Sequence, residues 1–183
     1  MLEYKNNILE LLSKGNNLKT ILETLIRYLE TAHPEMIGSV LLLDKQKKQL
    51  NNGIAVSLPS HYMQAIDGIK IGPTVGSCGA AAFTGEQVIV EDIMSHPNWN
   101  GFTELAESAG LRACWSEPII SSKQEILGTF AIYYREPTSP NKSNLKLIHE
   151  FSLLTALAIE NHQSHEALKK LSLAVNQSAN VVV

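Results

Sequence analysis

Apolar residues open the chain at helical spacing. Tyr4, Ile8, Leu11 and Leu12 share one face, and after Gly15-Asn16-Asn17 the pattern resumes at Leu18, Ile21, Leu22, Leu25, Ile26 and Leu29. The interruption predicts two helices, or one bent helix. Asn17 suits the N-cap of the second, because its side chain accepts an otherwise unpaired amide hydrogen bond, and Pro34 marks the exit. Residues 37–43 are an apolar run of strand length, residues 44–48 a polar turn, and residues 50–56 a returning antiparallel partner. Pro59 fits the first turn of a short helix reaching Ile66, with Gly68 beyond its C-terminal end.

The second half continues the alternation. A glycine-rich loop over residues 72–79 leads into Ala80-Ala81-Ala82-Phe83 and a stop at Gly85, with Ser77 placed to cap that short helix. Val88-Ile89-Val90 reads as a buried strand, residues 91–101 as a loop, and residues 103–109 as a helix closed by Gly110. Residues 111–120 and 126–134 flank the turn Ser121-Ser122-Lys123-Gln124-Glu125, a second hairpin with Gly128 inside its return strand. From Ser143 helical spacing returns, with Leu147, Phe151, Leu154 and Ala158 on one face. Leu154, Leu157, Leu168 and Leu171 form a seam spaced by threes and fours, interrupted at Asn161 and Ser164. The succession predicts an α+β fold: one antiparallel sheet, helices on its faces, and long N- and C-terminal helices.

Composition narrows the function. With 183 residues, 44% hydrophobic and 18% charged, the chain can pack one core and carry helical extensions. The net charge is -3 and the Lys and Arg residues are scattered, so no basic stripe awaits a nucleic acid. No apolar run approaches the ~20 residues that span a bilayer, and charges sit where a signal peptide has its apolar core. The expectation is a cytoplasmic domain without direct membrane contact. Cys78 and Cys114 are too few for a disulfide framework.

Three segments carry a family resemblance. Gly76-Ser77-Cys78-Gly79-Ala80-Ala81-Ala82-Phe83-Thr84-Gly85, then Val88-Ile89-Val90-Glu91-Asp92-Ile93, then His96-Pro97-Asn98-Trp99, resemble the middle of GAF domains. Gly110-Leu111-Arg112-Ala113-Cys114-Trp115-Ser116-Glu117-Pro118-Ile119 and Leu127-Gly128-Thr129-Phe130-Ala131 are similar to the closing hairpin of that family, in the subgroup of bacterial sensor proteins. The resemblance implies an N-terminal helical extension over residues 1–16 and a GAF sensor domain over residues 17–163. Residues 171–183 look like the first helix and first strand of a PAS domain, so residues 164–183 read as a linker helix and the truncated start of that domain. Proteins of this arrangement carry output modules of diguanylate cyclase, cyclic di-GMP phosphodiesterase or histidine kinase type, which places the parent protein in cyclic di-GMP or two-component signalling. The implied role is regulatory rather than enzymatic: a small molecule binds, and the terminal helices relay the change within a homodimer.

The candidate ligand contacts are Gly76, Ser77, Cys78, Asp92, Trp99, Phe102, Arg112, Cys114 and Trp115. The glycine loop presents backbone N–H groups at a helix start, which suits an anionic group; it serves equally as a bend beneath the sheet. It lacks the residues of a Walker loop and of the dinucleotide fingerprint. Trp99, Phe102 and Trp115 read either as a pocket rim or as core and lid packing. Cys78 and Cys114 read as buried inert thiols, or as a redox pair or chromophore anchor near Arg112.

Gly76-Ser77-Cys78-Gly79 is also similar to a segment of the free methionine-R-sulfoxide reductases, themselves GAF domains. Those enzymes place a catalytic Cys in the loop that here reads His96-Pro97-Asn98-Trp99-Asn100-Gly101-Phe102, and no Cys stands there. Bilin attachment asks for a Cys beside a His, which neither Cys78 nor Cys114 has. His162 and His165, with Glu166, have metal-compatible spacing but supply too few ligands for a structural zinc site. His96 or His149 would each suffice as a single haem ligand. Gly-x-Ser-x-Gly is absent and Glu91-Asp92 has no partner acid, so no catalytic set is assigned, no metal is expected and no cofactor is named.

Overall fold

The computed structural model describes the backbone of residues 2–179 and the side chains of residues 6–175. Helices α1 (Leu2–Ser13) and α2 (Leu18–Ala32) are separate, broken where Gly15 takes a left-handed φ of 67°. Asn17 caps α2, its side chain accepting from the Thr20 amide at 2.8 Å. Strands β1 (Ile37–Asp44) and β2 (Gln49–Ala55) form the first hairpin, followed by α3 (Ser60–Ile66). Pro59 stands just outside α3 as its N-cap rather than within its first turn. A two-residue strand β3 (Ile69–Lys70) pairs with β2; it is too short for periodicity to reveal.

Helix α4 (Gly76–Thr84) starts four residues before the alanine run that marked it in the sequence, and Gly85 ends it at a left-handed φ of 73°. Its N-cap is Val75, which makes no side-chain cap bond. Ser77 therefore does not cap; its hydroxyl is engaged by the sheet and by Trp99 instead. Strand β4 (Val88–Val90), a 3-10 turn (Pro97–Trp99) and α5 (Thr103–Ser108) lead to β5 (Ala113–Ile120) and β6 (Ile126–Tyr134). The last element is one long helix, α6 (Lys142–Ala179). The strand expected within residues 171–183 has its final positions, 180–183, outside the described residues.

The six strands form one antiparallel sheet in the order β3-β2-β1-β6-β5-β4. Alternation along each strand sends residues to opposite faces, and both faces are covered. On one side α1, α2 and the first half of α6 bury Leu22, Ile26, Val40, Trp115, Phe130 and Phe151. There the Trp115 and Tyr134 rings lie 4.5 Å apart and the Phe130 and Phe151 rings 5.6 Å. On the other side α3, α4, α5 and the 3-10 turn enclose Leu41, Tyr62, Cys78, Trp99, Cys114 and Tyr133. Helix α6 is tied to the sheet by Ser152 Oγ, which donates to the Pro118 carbonyl at 2.9 Å, and by Glu160, which accepts from the Ser122 amide and hydroxyl. Beyond His162 every described side chain of α6 is exposed.

Candidate functional site

The second face holds the candidate site, and α4 is its centrepiece. Alanines 80–82 and Gly79 keep this helix slim enough to lie close against β5 and β6. At Gly79 a Cβ would come within 2.9 Å of Val75 Cβ and 3.2 Å of the Lys70 carbonyl, so the close fold-back of the glycine loop requires glycine there. Ser77 Oγ donates to the Cys114 carbonyl at 3.0 Å and accepts from Trp99 Nε1 at 3.1 Å. One buried hydroxyl thus joins α4 to β5 and holds the indole of the 3-10 turn over both.

A cavity of about 30 Å³, measured as space for the centres of water-sized molecules, lies beneath this lid. Leu41, Tyr62, Ile66, Ile69, Trp99, Phe102 and Leu105 form apolar and aromatic walls, while Gly76, Ser77, Cys78 and Tyr133 bring the polar atoms. No Asp, Glu, Lys, Arg or His side chain lines it. The Tyr62 and Tyr133 rings meet edge to face, centroids 5.8 Å apart at 84°. Burial raises the pKa of both phenols well above the ordinary tyrosine range, so both stay protonated.

The Cys78 thiol faces a group of hydroxyls on the sheet. Tyr133 OH lies 3.8 Å from its sulfur. Ser39, Ser116 and Thr129 project from three neighbouring strands on this face, fully buried, and their hydroxyls make no hydrogen bond of normal geometry. Donation from the Cys114 thiol, and to a smaller extent from Ser116, Thr129 and Tyr133, offsets the burial of Cys78 and brings its pKa down to about 7. Burial first, and Cys78 second, push Cys114 well up, so Cys114 is the protonated member of the pair. Both cysteines are free.

The nine sequence-derived candidates separate in space. Gly76, Ser77, Cys78, Trp99 and Phe102 line the cavity together. Cys114 lies on the same face, in the same buried cluster as Cys78. Asp92 and Arg112 are not among the lining residues. Arg112 Nη2 donates to Asp92 Oδ1 at 3.1 Å and Oδ2 at 3.3 Å, and the Ile93 amide donates to the Arg112 carbonyl at 2.7 Å. These bonds fasten the base of the loop that carries Trp99. Trp115 is not brought to the cavity: one step along β5 from Cys114, it points through the sheet, and its Nε1 donates to the Thr138 carbonyl at 3.1 Å. Tyr62, Tyr133 and Leu105 were missed by the sequence reading; alternation along β6 was the one signal that pointed to Tyr133.

His96 accepts the Asn98 amide through Nδ1, and His149 pairs with Glu117 at 2.9 Å; neither ring lines the cavity. Among the described residues no three or more His, Cys, Asp or Glu side chains gather as metal ligands, and no helix is long and apolar enough to cross a membrane.

The GAF domain family pattern matches residues 15–160. The chain belongs to the GAF family. The GAF domain is 40% identical, over 166 residues, to a methyl sulfide methyltransferase-associated sensor of Methanosarcina acetivorans. That match covers 91% of this chain but 17% of the sensor. Among solved structures, the GAF domain of a Coxiella burnetii phosphoenolpyruvate-protein phosphotransferase superposes with a TM-score of 0.69 at 19% identity, covering 91% of this chain and 96% of that one. The free methionine-R-sulfoxide reductase of Neisseria meningitidis, solved with its substrate, gives 0.64 at 17%, covering 88% and 91%. Likeness at these identities concerns the GAF fold alone. A regulatory, sensing role agrees with the family and with the sensor-named relative.

Proposed function

We propose that this GAF domain senses a small uncharged molecule in the cavity beneath Trp99 and relays its presence through α6. The observation that carries the reading is the cavity itself: aromatic walls, a few polar atoms from Ser77, Cys78 and Tyr133, and no Asp, Glu, Lys, Arg or His side chain in the lining. At about 30 Å³ the cavity admits one or two water-sized molecules. A larger ligand enters only if the half-buried Phe102 and Leu105 swing outward, which makes the loop and α5 a lid.

The relay is proposed through the distal half of α6. Leu157, Leu168, Leu171 and Val175 are exposed and fall at alternating a and d positions with Asn161 and Ser164 between them, the pattern of a parallel two-stranded coiled coil with a polar middle. Downstream PAS and output domains, in a cytoplasmic protein, complete the proposal; the sensor-named relative is long enough for them.

The small volume of the cavity favours a second reading, in which the domain dimerises and relays without any ligand. Native mass spectrometry and absorption spectroscopy on the purified chain separate the two. A retained small molecule in a dimer supports the sensor. A colourless, empty dimer whose melting temperature no small neutral compound raises assigns the relay role alone.

A further inference from the structure

The two cysteines are the buried nucleophiles that ligand sensing leaves unused. Cys78 lies in the first turn of α4 and lines the cavity, whereas Cys114 is wholly enclosed behind it on β5. The Ser77 to Cys114 hydrogen bond, one residue away, fixes α4 against β5 at this point, and both thiols belong to the same buried cluster on this face of the sheet. Tyr133 OH lies 3.8 Å from Cys78 Sγ, and the buried hydroxyls of Ser116 and Thr129 on the same face of β5 and β6 have no partner. A hydroxyl donor at the sulfur, access from a cavity, and a second thiol in the same buried cluster are the parts of a two-cysteine oxidation site.

We propose that Cys78 is a peroxide-reactive thiol and that Cys114 converts its sulfenic acid into an internal Cys78–Cys114 disulfide, with hydrogen peroxide as the oxidant. Peroxide is chosen by size and charge: two heavy atoms, neutral, able to donate and accept hydrogen bonds, and matched to a cavity that holds one or two waters. The Cys78 thiolate attacks one peroxide oxygen, the O–O bond breaks, and the departing hydroxide takes up a proton as water. Cys78 is thereby oxidised by two electrons to the sulfenic acid. The Cys114 sulfur then attacks Cys78 Sγ, gives up its proton, and the S–O bond breaks to release a second water. Two thiols and one hydrogen peroxide yield one disulfide and two waters. A Cys78 pKa of about 7 keeps a useful thiolate fraction near neutrality, and the protonated Cys114 matches its role as the second thiol. The chemistry needs no bound ligand, so it stands or falls separately from small-molecule sensing.

The test is intact mass under denaturing, non-reducing conditions after hydrogen peroxide treatment of the full chain. The expected result is a loss of about two daltons, reversed by dithiothreitol, with the protein still monomeric in mass. Cys114→Ser is expected to stop at a gain of about 16 daltons that dimedone traps. Cys78→Ser is expected to show neither product. Tyr133→Phe removes one donor; it is expected to slow the first step on the order of tenfold and to move its pH midpoint upward, which a merely structural change would not do. Two intact thiols in the wild-type chain after peroxide overturn the proposal, and that reading needs no variant to fold. So does a disulfide between two chains, or oxidation of Cys114 at an undiminished rate in Cys78→Ser.

Discussion

Cys114 and Trp115 are neighbours in sequence and strangers in the fold. Strand alternation sends the thiol to the cavity side and the indole into the helix-packed core, so of the two roles the sequence offered Trp115, pocket rim or core packing, it takes the second. Trp115→Ala is accordingly expected to cost about 3 to 5 kcal/mol of stability in urea unfolding, as a large core truncation. Trp99→Phe keeps the ring in the lid but deprives Ser77 of a donor, for a smaller loss of about 1 kcal/mol. Gly128 is the tightest position: a Cβ there would lie 2.1 Å from the Leu41 carbonyl oxygen, a clash with backbone that no rotamer relieves. Gly128→Ala should cost about 3 kcal/mol or more by the same measurement. Titration adds a sign. With the Cys78 pKa lowered to about 7, its thiolate grows as pH rises through that value, so alkylation by a small neutral reagent should accelerate from pH 6 to 8 and then level off.

Elements were legible where periodicity ran long. The two N-terminal helices, both hairpins and the start of the last helix match the apolar spacing because each buries one continuous face. Short pieces were less legible: β3, with two residues, escaped, and α4, nearly apolar throughout, showed its end at Gly85 but not its start at Gly76. The candidate site was half legible for the same reason. The glycine loop, Cys78, Trp99 and Phe102 announced themselves by type, whereas Tyr62 and Leu105 enter the cavity from α3 and the start of α5 only through tertiary packing. Helix α6 changes character along its length, from Phe151 and Ile159 in the core to Leu168 and Leu171, each 63% exposed. Leu168→Glu with Leu171→Glu should convert a dimer to a monomer in analytical ultracentrifugation while leaving the melting temperature of the folded domain nearly unchanged. Asn161→Leu should tighten the same dimer, since a polar residue at such a position weakens a coiled coil.

At the scale of the molecule, the cavity and the core packed by the first half of α6 lie on opposite faces of one sheet, and β5 and β6 contribute side chains to both. A single layer of backbone thus separates Cys78 and Tyr133 from α6, which Ser152 joins to the sheet at the Pro118 carbonyl. Ser152 and Glu160 also locate the fulcrum: α6 is clamped up to about its midpoint and stands clear of the domain beyond His162. The free arm to Val175 is roughly 20 Å long at 1.5 Å per residue. A tilt of about 5° at the clamp would sweep its tip by about 2 Å, a displacement comparable to sliding one side chain past the next. The proposed relay would thus work as a mechanical amplifier: a slight tilt at the clamp becomes a larger displacement at the far end of the free arm.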